Sequence, residues 1–84
     1  MITTSRYSSK KTRDFAKRLA EEGSEAYVAR GKKTIDELAA IARKSGDERI
    51  SVVEEKDDAP AKIIEIRVFE TGRWAWGGER IITD

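Results

Sequence analysis

The stretch MITTSRYSSKKTRDFAKRLAEEG, residues 1 to 23, decides the fold. Met1 to Ser5 is a short β-branched run followed by polar residues, which predicts a first strand leading into a loop at Arg6 to Ser8. From Lys10 to Glu22, Thr12, Phe15, Ala16 and Leu19 recur at i, i+3, i+4 and i+7, the spacing of one helical face. Ser8 or Ser9 can cap the free amides at the helix start, although no Glu or Gln completes a reciprocal box. Gly23 supplies the stop.

Working outward, Glu25 to Arg30 places Tyr27 and Val28 between Gly23 and Gly31. A strand reached through a helix pairs parallel to the first, so this segment closes a βαβ unit. Thr34-Ile35-Asp36-Glu37 has the form of a capping box and opens a second helix. Ile35, Leu38, Ile41 and Ala42 form its core-facing stripe, which ends before Gly46. Arg49 to Glu55, Ala61 to Glu70 and Arg73 to Thr83 read as three strands joined by the turn-rich Lys56 to Pro60 and by Thr71-Gly72. The expected architecture is α/β: one unit over residues 1 to 84, order β-α-β-α-β-β-β, with a mixed sheet and both helices on one face.

Composition narrows the function. Cysteine and histidine are both absent, which removes disulfides, thiolate metal sites, the usual general base and the commonest zinc ligand. No GxxxxGK[ST] or strand-linked GxGxxG occurs, so no nucleotide cofactor is expected, and Asp57-Asp58 lacks the ligand spacing of a calcium loop. With no coupled catalytic arrangement, the chain is expected not to be an enzyme and to need no cofactor or metal. No apolar run reaches the roughly 18 residues of a membrane span, which predicts a cytoplasmic protein with no membrane partner.

The net charge of +1 hides an asymmetry. Residues 1 to 44 carry 11 Lys+Arg against 6 Asp+Glu, whereas residues 45 to 84 carry 6 against 10. Between Arg6 and Arg18 stand six cations and a single anion, Asp14, a density that attracts a polyanion through counterion release. Helical geometry puts Lys10, Arg13 and Lys17 opposite Phe15 and Leu19, with Lys11 and Arg18 on the flanks. Arg6, in the loop before the helix, could hold a phosphate together with the amides of the helix start. Arg30, Lys32 and Lys33 leave the second parallel strand at the same end of the sheet, so two basic loops converge.

These residues also carry a family likeness. Thr3-Thr4-Ser5-Arg6, then Ser9-Lys10-Lys11-Thr12-Arg13-Asp14-Phe15 and Leu19, resemble the opening of archaeal Brix-domain proteins, with a Thr-Ser-Arg strand end and a Ser-x-x-Thr-Arg-x-Phe helix start. Arg30-Gly31-Lys32-Lys33-Thr34-Ile35 with Glu37-Leu38 is similar to a second segment, and the likeness extends to about residue 66. The resemblance implies an anticodon-binding-domain-like half of a Brix domain and a role in pre-ribosomal RNA processing or subunit assembly. It implies ribosomal RNA or pre-rRNA as partner, together with ribosomal proteins or assembly factors. A full Brix domain has two similar halves and this chain matches about one, which raises the prospect of a homodimer. The RNA-binding residues expected are Arg6, Lys10, Lys11, Arg13, Lys17, Arg30, Lys32 and Lys33. Trp74 and Trp76 share one side of a strand and are expected in the core or at a contact with another chain. The competing expectation is a protein-interaction module that pairs through its carboxyl-terminal strands.

Overall fold

The computed structural model describes residues 1–83 and contains six elements: β1 (Ile2–Thr4), α1 (Lys10–Glu22), α2 (Ile35–Lys44), β2 (Arg49–Lys56), β3 (Ala59–Val68) and β4 (Trp74–Ile81). The sheet order is β1-β2-β3-β4, with β1 parallel to β2 and the other pairs antiparallel, so the expected mixed sheet is present.

Both helices start and stop by local chemistry. Ser9 caps α1, its hydroxyl accepting from the Thr12 amide. At the other end the Ser24 amide donates to Glu21 O and the Glu25 amide to Ala20 O, the paired bonds of a Schellman turn. Ser24, with φ 53°, therefore takes the left-handed position, one residue beyond the glycine that the sequence offered. In α2 the Thr34–Glu37 capping box is complete in both directions, and Gly46, φ 78°, takes the left-handed position after Ser45.

Two expectations need correction. The segment Glu25 to Arg30 does not form a strand: it makes one parallel bridge, Tyr27 to Ile2, with the Ile2 amide on Ala26 O and the Val28 amide on Ile2 O. A continued ladder would next send the Arg30 amide to Thr4 O, but the Arg30 side chain occupies that carbonyl, Nη1 to O at 3.0 Å. The helices also lie on opposite faces. Ala16 and Ala20 of α1 pack on Ile2, Val53 and Ile63, whereas Leu38, Ala39 and Ala42 of α2 pack on Ile50, Val52, Ile66 and Val68. Strand side chains alternate, and the register Val52 to Ile64 and Val53 to Ile63 assigns these two sets to the two sides.

The reason is the path of the chain. Residues 26 to 28 sit outside β1, so the first crossover runs outward from β1 and the second runs back over it to β2. Crossovers of one hand that travel in opposite directions must cover opposite faces. Each face then has its own core: Leu38, Ile50 and Ile66 are fully buried on one, Ile2 and Val53 on the other. Burying a side chain of this size contributes about 1.5–3 kcal/mol. Phe15 and Leu19 pack against the α1 cluster only partly buried, the deepest contacts of that helix coming from Thr12, Ala16 and Ala20.

No helix among the described residues is long and apolar enough to cross a membrane.

Candidate nucleic-acid interface

Because the two crossovers leave toward opposite faces, the loops after β1 and after residue 28 part at the same end of the sheet. Such a switch point opens a crevice beyond the carboxyl ends of parallel strands. Here it is a cleft of about 410 Å³, with Thr4, Ser5, Tyr7 and Ser8 from one loop region and Ala29 to Lys32 from the other, and Arg13 reaching in from α1. Each loop turns on one left-handed residue, Tyr7 at φ 56° and Gly31 at φ 51°.

Arg30 is the anchor of this cleft. Its Nε donates to Lys33 O at 2.7 Å and its Nη1 to Thr4 O at 3.0 Å, which ties the two loops together through one half-buried guanidinium. Burial, and secondarily the neighbouring Arg6, pull its pKa below the ordinary arginine value, with Glu54 opposing. An arginine remains charged under such pressure, so the cation stays in place without a carboxylate bonded to it. Glu54 itself lies 3.9 Å from the Lys62 ammonium.

The expected site residues divide into two groups. Arg13, Arg30 and Lys32 line the cleft, and Arg6 is close enough to Arg30 to be felt electrostatically. The Arg13 Nη1 donates to the Ser8 carbonyl, which directs the side chain to the cleft side of α1. Lys17 continues this side of the helix, its ammonium 5.7 Å from the centre of the Tyr27 ring. Among the described residues none of these five cations is in a salt bridge. Lys33 borders the group but folds back, its Nζ donating to Ala29 O at 3.0 Å. Lys10 points to solvent and pairs with Asp14 at 2.7 Å; this bond is the main reason the Asp14 carboxyl titrates below its ordinary value. Lys11 stands about 160° round the helix from Arg13, away from the cleft.

The start of α1 differs from expectation. The Ser9 amide donates to Glu55 Oε1 at 2.7 Å and the Thr12 amide to the Ser9 hydroxyl, so a carboxylate of β2 already takes the place foreseen for a phosphate beside Arg6. What gathers charge here is the set of guanidinium groups. Sequence reasoning passed over Tyr7, a residue 83% exposed that lines the cleft. The available signal was an aromatic placed between Arg6 and two serines, where no core periodicity asks for one.

On the far side of the sheet, β4 is an edge strand, paired only with β3. Trp74 and Trp76 meet edge to face with centroids 5.8 Å apart, and Trp76 and Ile81 are each 64% exposed.

Fold and cleft together define a small α/β domain that collects cations at the carboxyl end of its parallel strands. Among solved structures it is similar to Mil, an archaeal Imp4-like protein, at 31% identity and a TM-score of 0.81, over 95% of this chain and 48% of that one. It is also similar to a probable ribosomal biogenesis protein from Aeropyrum pernix K1, at 30% identity and a TM-score of 0.89, over 99% of this chain and 47% of that one. The chain spans about half the length of each. No protein-family model and no curated protein matches the sequence.

Proposed function

We propose that this chain is a non-enzymatic factor of ribosome biogenesis that binds ribosomal RNA or its precursor, and that it corresponds to one half of a Brix domain. The observation that carries the reading is the cleft: Arg6, Arg13, Arg30 and Lys32 cluster with no carboxylate bonded to them among the described residues. Cations held at one place without a bonded carboxylate repel each other, a cost that a polyanion would relieve. The likeness to a probable ribosomal biogenesis protein supports ribosomal RNA as that polyanion. Its partners would include ribosomal proteins or other assembly factors, and its place of work the cytoplasm.

The test is a salt titration of binding to an rRNA fragment. About four to six phosphate contacts give a log-log slope of about −3 to −5. Arg13→Glu with Lys32→Glu should abolish binding while the far-ultraviolet spectrum stays that of the wild type. A flat salt response overturns the reading.

A second reading, pairing of two copies through β4, is favoured by the exposed Trp76 and Ile81 on an edge strand. A mass that stays monomeric at micromolar concentration and above rejects it.

A further inference from the structure

We propose that the cleft takes one unpaired nucleotide of single-stranded RNA, with a phosphate on Arg30 and Arg13 and the base stacked on the ring of Tyr7. The inference rests on the RNA-binding reading and adds to it a strand preference and a residue.

Tyr7 has no part in either hydrophobic cluster and is 83% exposed. A bulky side chain in the left-handed region is conformationally costly, so the backbone there holds a ring outward at some expense to stability. The ring shares one cleft with Arg13, Arg30 and Lys32. An aromatic face beside a cationic groove is the arrangement that holds unpaired bases, since every base offers a π-face while the cations follow the backbone. A double helix keeps its bases stacked inside and could offer only phosphates. The volume, about 410 Å³, lies at the small end of pockets that hold small ligands, on the scale of one nucleotide.

Arg30 is prepared for the phosphate. Its bonds to Lys33 O and Thr4 O use Nε and Nη1 and leave Nη2 available among the described residues. A guanidinium fixed before binding loses little freedom on meeting its ligand. The other surface features carry less. The cleft beside Glu22, Glu25 and Glu65 sets these carboxylates against only Arg49 and Arg80 and holds no aromatic ring, and the Trp76 patch has no cation-rich cleft beside it.

The experiment compares fluorescein-labelled RNA of about 12 nucleotides, single-stranded and as a blunt duplex, against wild type, Tyr7→Asn and Tyr7→Phe. Asparagine tolerates the left-handed backbone and removes the ring, so the loop is kept. Tyr7→Asn should weaken single-strand binding about 10-fold, with duplex binding and the salt slope unchanged, and Tyr7→Phe should restore it. Unchanged single-strand affinity in Tyr7→Asn, or equal losses for both RNA forms, overturns the stacking proposal and leaves the RNA-binding reading standing. Failure of the wild type to bind either RNA overturns both.

Discussion

Glu55 Oε1 accepts the backbone amide of Ser9 at 2.7 Å, so a side chain of β2 closes the start of a helix 46 residues earlier in the chain. The bond joins the sheet to α1 and places negative charge at the positive end of the helix dipole. Glu55→Ala should destabilise the fold by about 0.5–2 kcal/mol, read as a lower urea midpoint with an unchanged slope. Salt-dependent RNA binding should persist in this variant, because Glu55 does not line the cleft.

Tyr27 packs against the α1 cluster, and its hydroxyl is buried with no partner among the described residues. Burial raises its pKa, helped by Asp14 and opposed by Arg13. The folded state thus holds the phenolic proton more tightly than the unfolded chain. Stability is therefore undiminished below the ordinary tyrosine value of 10.0 and falls as pH rises past it. Tyr27→Phe should be at least as stable as the wild type near neutrality, because it removes a buried hydroxyl without a partner, and should lose less stability on going from about pH 9 to 11. Urea unfolding of both proteins at each pH measures this difference, and parallel curves would sink it.

What could be read from the residues was local. The Thr34–Glu37 box, the Ser9 cap and the glycine after α2 act through neighbours a few positions away, and the structure contains each of them. What escaped depends on contacts distant in sequence. Tyr27 pairs with Ile2, yet the ladder stops because a side chain, Arg30, takes Thr4 O, and no hydropathy pattern announces that. The placing of both helices on one face assumed that the chain travels one way across the sheet. Tyr27 beside Ile2 shows that it reverses, and handedness then separates the helices.

The same divide applies to the cleft. Convergence of the loops at Arg6 and Arg30 was legible, because two parallel segments must end on one side of a sheet. The phase of α1 about its axis settled the rest: Arg13 turns to the cleft, while Lys10 meets Asp14 one turn on. Tyr7 escaped because an isolated aromatic has no period, and only the path of the loop reveals that its ring shares a cleft with three cations.

The β2–β3 hairpin turns on Asp57 and Asp58, with φ 54° and 60°, between the paired residues Lys56 and Ala59. Two consecutive left-handed residues define the tight turn whose twist suits a hairpin, and glycine meets its second position without strain. Asp58→Gly removes a like charge next to Asp57 as well as the Cβ, against the greater freedom of glycine when unfolded. The Asp58 carbonyl, which accepts the Ser9 hydroxyl at 3.1 Å, is retained. The variant should gain about 0.5 kcal/mol, seen as a rise of a few degrees in thermal midpoint. A fall would show that the aspartate side chain stabilises the turn.

Trp74 and Trp76 touch each other but differ in what anchors them. Trp74 packs against the α2 cluster and its Nε1 donates to Asp36 Oδ1 at 2.6 Å, fastening β4 to the first turn of α2. Trp76 is 64% exposed and contributes an edge-to-face contact of about 0.5–1.5 kcal/mol. Trp74→Phe keeps an aromatic ring, leaves Asp36 without its indole donor, and should cost about 1–2 kcal/mol. Trp76→Ser forfeits the ring contact and little burial, so its cost should be the smaller of the two. Urea unfolding of both variants at low micromolar concentration decides the order. The reverse order, with Trp76→Ser the more damaging, would mean that the exposed ring is covered by another chain in solution.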